Sequence, residues 1–316
     1  MPKVSVIIPV YGVERYIERC AVSLFEQTLS DLEFIFVDDC SPDRSMEILS
    51  QVIEKYKICL LEKNCVVRIE RMPKNSGLPA VRKYGTSLAT GDFIIHCDSD
   101  DWLDVTFCQK LYDKAIAEGS DLVVTGYHET DGKVIIRESI PVFTTKSEYV
   151  SRLLYMQDSW AIWNKLCRRE LYDGLEFSIY NMGEDMLMTF QLVVRAKKIS
   201  VVEESLYNYY YNVDSMTKVQ DEGKMYNNWK QSVFNAKQTF DFLKKENLES
   251  CFADAIEYQK YRQKILAGRL AYKSKYAKEW YNEFSSTHES YLRIKGLSFE
   301  EKLKYFIVVF FSWIKS

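Results

Sequence analysis

Residues 91–102 read Gly-Asp-Phe-Ile-Ile-His-Cys-Asp-Ser-Asp-Asp-Trp, a short apolar run, Phe93 to His96, opening onto an acidic cluster. Such a run, bounded by polar residues, has the pattern of a strand buried within a parallel sheet. The same grammar occurs twice upstream: Val4 to Val10 (VSVIIPV) leads into Tyr11, and Phe34 to Val37 (FIFV) into Asp38-Asp39-Cys40-Ser41. Helical patterning fills the intervals, at about Glu14 to Gln27, Asp43 to Lys57, Leu78 to Leu88 and Asp104 to Ala117. Two further strands are expected at Val66 to Ile69 and Leu122 to Thr125. Strands alternating with helices predict an α/β fold with a mostly parallel sheet.

In an open parallel sheet, ligands bind beyond the carboxyl ends of the strands. That edge should gather Asp38, Asp39, Asp98, Asp100 and Asp101, five carboxylates that repel each other and call for positive charge between them. If the segment after Phe93–His96 is extended, residues i and i+2 point the same way, so Asp98 and Asp100 face one ligand and Ser99 faces away. Oxygen-only ligands suit Mg²⁺ or Mn²⁺, completed by substrate phosphates. The plainer alternative is a solvated acidic turn with Asp104 capping the next helix. No GxGxxG follows the first strand and no GxxxxGK[ST] occurs, which removes the main support for dehydrogenase and P-loop chemistry.

Apolar residues make up 47% of the 316, with 12 Gly and 6 Pro, so the chain reads as globular throughout. A net charge of −3 without a basic run argues against nucleic acid as a partner. The eight cysteines are scattered, none in a CxxC pair, which suggests free thiols in a reducing compartment. Met1-Pro2-Lys3 leads straight into the first strand, so no secretory signal is expected, and the location expected is cytoplasmic. Beyond Gly126 the alternation breaks: Asp131-Gly132 reads as a hairpin turn between Tyr127–Glu129 and Val134–Ile136. From about residue 223 the chain is helical, with Tyr226, Trp229, Val233, Ala236, Phe240 and Leu243 on one stripe. Two regions are therefore expected, 1–222 and a helical 223–316.

The blocks VSVIIPVY, FIFVDDCSPD, NSGLPAVRKYG (75–85), GDFIIHCDSDDW and GEDM (183–186), in this order, resemble the family 2 glycosyltransferases of the GT-A fold, particularly bacterial capsular and exopolysaccharide members. That fold is a Rossmann-like nucleotide-diphospho-sugar transferase sheet. The resemblance implies an inverting, metal-dependent transfer of one hexosyl or N-acetylhexosaminyl group, with Mn²⁺ or Mg²⁺. The donor implied is a nucleotide-sugar, a UDP-sugar in the first instance. The acceptor implied is a glycan or lipid-linked glycan in surface polysaccharide synthesis.

It also implies roles residue by residue. Pro9, Val10 and Tyr11 line the nucleoside pocket, and Asp39 accepts the uracil N3–H, a donor cytosine lacks, though thymine and guanine offer similar ones. Asp98 holds the ribose or metal-bound water, Asp100 binds the cation, and Asp101 supports it. Arg82 lies near the nucleotide, although Lys83 stands where the family usually has Asn. Asp185 is the implied base, with Glu184 second. Trp163, Asn164 and Lys165 shape the acceptor side. Tyr207 to Ser215 resembles a YxYxxRxxS segment, with Asn212 at the usual basic position. The QxxRW motif of processive polymerases is missing, which favours single-sugar addition.

The apolar run Tyr305 to Ile314, flanked by Lys302, Lys304 and Lys315, is too short to span a bilayer. A helix at 299–316 that lies on the membrane as a peripheral anchor, or that packs in the core or a homodimer interface, fits it equally. Two other functions remain open on sequence grounds: a sugar nucleotidyltransferase, and a non-catalytic nucleotide-sugar-binding scaffold. The first would normally carry a Gly-rich signature where Pro9-Val10-Tyr11-Gly12 stands, and the second is opposed by the intact acidic residues.

Overall fold

The computed structural model describes residues 1–211, 221–272 and 274–315. The expected contacts of Asn212 lie outside the described residues. Nine strands form one sheet among these residues: β1 (Val4–Val10), β2 (Leu32–Asp38), β3 (Val66–Arg71), β4 (Phe93–His96), β5 (Trp102–Leu103), β6 (Leu122–Thr130), β7 (Ile135–Ser139), β8 (Lys165–Arg168) and β9 (Ile199–Tyr210). Helices α1 (Ile17–Phe25), α2 (Ser45–Glu62), α3 (Leu78–Leu88), α4 (Phe107–Glu118), α5 (Lys146–Leu154) and α6 (Glu184–Arg195) punctuate the strands. Six more follow: α7 (Glu222–Lys245), α8 (Ala253–Leu266), α9 (Gly268–Ala271), α10 (Ser274–Asn282), α11 (Thr287–Ser290) and α12 (Phe299–Lys315).

The sheet order is β3-β2-β1-β4-β8-β6-β9-β5, with β7 paired to β6. β1, β2, β3 and β4 are parallel neighbours, as expected. Past β4 the sheet is mixed, because β8 enters antiparallel between β4 and β6, while β9 runs parallel to β6. All seven residues of β1 and of β2 are buried, which is why their sequences are mostly apolar without alternation. The polar residues inside them, Ser5 and Glu33, are buried together, with Ser5 Oγ donating to Glu33 Oε2. Val4, Val6, Ile8 and Val10 join the core that holds Leu24 of α1 and Leu49 of α2. Ile7 faces the other way, against α3, where a Cβ on Gly85 would fall 2.5 Å from its Cγ2.

Helix starts differ from expectation for identifiable reasons. α1 begins at Ile17, not Glu14, because Gly12, Val13 and Glu14 donate their backbone N–H groups to Ser41 Oγ, Ser45 Oγ and Asp43 Oδ2. The loops after β1 and β2 are thereby tied together. α4 begins at Phe107, not Asp104, because Asp104 forms an Asx turn, accepting from Thr106 N and Oγ1. The hairpin forms as expected, with Asp131 Oδ1 accepting from Lys133 N and Val134 N, and Gly132 at φ 88°.

Two compact units divide the chain. The first holds the sheet and comprises residues 1–146, 160–181 and 188–211. The second takes Ser147–Ser159, Met182–Leu187 and the described residues from 221 onward, so two short stretches from within 1–222 belong to the helical unit. Trp229 and Val233 of the stripe on α7 join the second unit's core with Tyr261, Trp280 and Tyr305. Asp221 caps α7 by accepting from Lys224 N. No helix among the described residues is long and apolar enough to cross a membrane.

Candidate active site

The parallel register brings three strand tips together: Val10 lies opposite Asp38 and Ile7 opposite His96. Asp39 N then donates to Val10 O, and Cys97 N to Ile7 O, which carries the pairing past the strand ends. Tyr11, 52% exposed at the end of β1, presents an aromatic surface at this edge. Pro9 and Val10 are buried, so they support the edge from within and do not expose a wall to solvent.

Asp39 is buried, and its carboxylate is a clamp: Oδ1 accepts from Ser76 N at 2.7 Å and Oδ2 from Gly77 N at 2.9 Å. It fixes the loop that starts α3. A carboxylate has about four lone-pair positions, so these two bonds leave acceptor capacity for further donors. Gly77 adopts φ 83°, and a Cβ there would fall 2.7 Å from Asn181 Oδ1, which itself accepts from Leu78 N. The loop thus needs glycine both for its backbone and for space.

The acidic cluster is a turn and not the extended segment expected. Asp101 N donates to Asp98 O at 3.1 Å, which closes the chain over Ser99 and Asp100, and Ser99 is buried. Asp98 pairs with Arg82 Nη2 through Oδ1 at 2.6 Å, its own side chain 27% exposed and that of Arg82 3%. Burial, and then the charge of Asp98, push the Asp100 carboxyl up to about 6. The backbone oxygen of Asp100 accepts from Arg19 Nη2 at 2.8 Å, and the Arg19 guanidinium lies 3.7 Å from the Trp102 ring centroid and 4.8 Å from that of Tyr210.

Asp101 is fully buried, accepting from Tyr207 Oη and Tyr210 N at 2.7 Å each, so it braces the turn from behind with no face open to a ligand. Burial and the neighbouring Asp100 and Asp98 raise its carboxyl well above the usual range. Tyr207 Oη also accepts from Asp98 N at 3.1 Å. Arg19 and Asn181 are the residues that the sequence did not single out, while Tyr207 and Tyr210 lie in the segment 207–215 that it did, without their hold on Asp101 being foreseen. The one signal for the arginine was the general need for positive charge among five carboxylates.

Trp163, Asn164 and Lys165, expected to shape the acceptor side, are buried. β8 sits between β4 and β6, which places this segment inside the protein. Trp163 stacks on Tyr207 with ring centroids 4.1 Å apart, so it acts on the acidic turn through that tyrosine. Asn164 Nδ2 donates to Thr125 O, and Lys165 Nζ to Ala161 O and Asn164 Oδ1. The Lys165 ammonium is therefore spent on internal carbonyls.

Glu184 and Asp185 open α6 after Gly183, whose φ of 76° turns the chain into the helix. Glu184 is buried and Asp185 half-buried. Met182 just before them is held by α7, with its N–H donating to Gln231 Oε1 and its carbonyl accepting from Asn235 Nδ2. This stretch belongs to the second unit.

Among the described residues no group of three or more His, Cys, Asp or Glu forms a metal cage. The donor set nonetheless suits a hard divalent cation that completes its shell with phosphate and water oxygens. Asp98 and Asp100 would supply two carboxylates to such a cation, and it is burial, and then the charge of Asp98, that raises the Asp100 carboxyl.

The mixed α/β sheet with flanking helices and a C-terminal helical region has the GT-A fold. The family model for Glycosyl transferase family 2 matches residues 5–177, and the chain belongs to that family. Among relatives, it is 30% identical over 229 residues to the uncharacterized glycosyltransferase EpsJ of Bacillus subtilis, covering 69% of this chain and 64% of that protein. In fold it is similar to Staphylococcus aureus TarS 1–349 in complex with UDP-GlcNAc, at 20% identity and TM-score 0.59, covering 92% of each chain. The Pyrobaculum calidifontis mannosyltransferase PcManGT, in complex with GDP-Man and Mn²⁺, matches at 13% identity and TM-score 0.59, covering 99% of this chain and 86% of that one. The chain spans 33%, 64% and 63% of the length of three curated relatives, the Streptococcus pneumoniae glycosyltransferase GlyA and B. subtilis EpsJ and EpsH.

Proposed function

We propose that this chain transfers a single sugar, with inversion, from a UDP-sugar to a glycan or lipid-linked glycan acceptor in surface polysaccharide synthesis, working in the cytoplasm. The observation that carries the proposal is the meeting of Asp39, Asp98, Asp100 and Arg82 at one edge of the sheet, beyond β1, β2 and β4. Tyr11 offers a ring for the base to stack on, and the remaining acceptor capacity of Asp39 suits an imide N–H. The TarS structure in complex with UDP-GlcNAc favours uracil, while GDP-Man in PcManGT shows that a guanine donor is held on a similar fold.

Asp98 and Asp100 are the residues that would hold Mn²⁺ or Mg²⁺, and the cation, when bound, supplies neutralising charge to the diphosphate. Arg82 holds Asp98 in place and adds fixed positive charge beside it. The acceptor oxygen forms its bond to the anomeric carbon as the bond from that carbon to the diphosphate oxygen breaks. The hydroxyl proton passes to the Asp185 carboxylate, because a sugar hydroxyl is too weak an acid to react without a base in reach. The nucleoside diphosphate leaves with the electron pair.

The test is thermal stabilisation by UDP with Mn²⁺ and with chelator. UDP should stabilise the protein several-fold more with the metal, and Asp100→Asn should remove that increment. Equal stabilisation in chelator would show that the two carboxylates do not hold a cation.

A further inference from the structure

Helix α12 has two faces of different fate. Tyr305, Val308 and Ser312 turn inward, where Tyr305 packs on Tyr261 and Tyr291 and shares a hydrogen bond with Thr287, and Ser312 Oγ donates to Ala277 O. The opposite face carries Phe299, Leu303, Phe306, Phe310, Trp313 and Ile314, between 47% and 82% exposed. At about 100° per residue these six fall on one continuous arc with no polar side chain inside it. The arc is edged by Lys302 on the side of Trp313; on the other side Ile307, Glu300 and Phe311 lead to Lys304 and Lys315. Glu300 pairs with Lys304 at 2.6 Å, while the Lys302 and Lys315 ammoniums donate to the backbone carbonyls Leu292 O and Tyr272 O, which leave their charge unneutralised. Tyr272, 5.9 Å from Phe311, extends the apolar surface beyond the helix. A contiguous exposed apolar patch rimmed by polar residues is the kind of surface that marks a protein or membrane interaction site.

We propose that this face docks on the surface of an anionic lipid bilayer, with α12 lying in the plane of the interface. The rim decides the occupant. Lysines on both margins fit anionic headgroups while the aromatic arc enters the acyl boundary, the arrangement of an interfacial helix. A second copy docked face to face would set one cationic rim against another. A single 17-residue helix carrying five charged residues is unsuited to crossing the bilayer, and no described helix does so. The proposal stands apart from the transfer reaction, since it rests on none of the residues at the sheet edge.

Truncating the helix is an unsuitable test, because Tyr305 belongs to the core. The informative variant is Phe306→Ser/Phe310→Ser/Trp313→Ser, which alters only exposed positions. The full chain should co-sediment with phosphatidylglycerol vesicles roughly tenfold more than with phosphatidylcholine ones, and release partly at high salt, because headgroup attraction is screened. The triple variant should lose vesicle binding at an unchanged melting temperature, and Lys302→Gln/Lys304→Gln should reduce the phosphatidylglycerol preference several-fold. Equal sedimentation of the triple variant and wild type would overturn the proposal. So would a wild-type dimer that captures no vesicles and that the triple variant converts to monomer, since the occupant would then be a second copy.

Discussion

At the scale of single residues, the acidic turn is held at an energetic cost that a substitution can reveal. The Asp100 carboxyl sits at about 6 in the folded chain, against about 3.9 for an unperturbed aspartate. Between those values the folded protein keeps a proton that the unfolded chain has lost, so stability falls as pH rises from about 4 to about 6 and then levels off. Metal-free Asp100→Asn lacks that loss and should exceed wild type at pH 7.5 by roughly 1–3 kcal/mol in urea denaturation, the gap narrowing toward pH 4. An Asn variant no more stable than wild type at pH 7.5 would mean that Asp100 ionises freely. Tyr207→Phe tests the brace behind the turn. Its hydroxyl serves Asp101 and Asp98 N together, so its loss should cost roughly 1–3 kcal/mol and weaken metal-dependent UDP binding. The aspartates and Arg82 were legible as short motifs with fixed neighbours. Tyr207 was not, because its partner lies more than a hundred residues away and no local pattern records that contact.

At the scale of elements, the strands buried on both faces were readable, since β1, β2 and β4 are mostly apolar, with the runs VIIPV, FIFV and FII. Parts of β3, β6 and β7 were also expected, but β5, β8 and β9 left no such trace. β5 is two residues long, β8 begins with a buried lysine, and β9 carries two consecutive glutamates. Tertiary pairing, not local preference, makes these segments extended. The same limit explains the acidic cluster, where alternation predicted an extended tip and the Asp98–Asp101 hydrogen bond makes a turn. The loop before α3 gives the sharpest test of an element's design. Gly77→Ala would place a Cβ into Asn181 at a positive φ, which should cost roughly 1–3 kcal/mol and raise the Kd for UDP, because Asp39 grips this same loop. Denaturation and UDP titration of the variant check both effects. Wild-type values in both would show that the loop has more room than its contacts indicate.

At the scale of the molecule, the carboxylates proposed to serve the donor and the proposed base belong to different compact units. Asp39, Asp98 and Asp100 stand in the sheet unit, whereas Met182–Leu187, with Glu184 and Asp185, groups with the helices. Linear order concealed this, because GEDM follows the sheet motifs and sits well before residue 223 in the chain. The stretch is claimed by α7, through Gln231 and Asn235, and such long-range anchoring has no periodic signature. Asp185→Asn keeps the size of the side chain and removes its basicity, so turnover should fall by roughly two to four orders of magnitude. UDP–Mn²⁺ stabilisation should remain at the wild-type level, because none of the residues proposed to hold donor or cation is altered. Steady-state turnover measured beside the thermal shift separates the possibilities. A variant that loses stabilisation in proportion to turnover would make Asp185 a donor ligand, and one that turns over normally would pass the role of base to Glu184. Loss of turnover alone identifies a group acting on the acceptor's proton, since only that step needs the carboxylate's basicity and not its place in the fold.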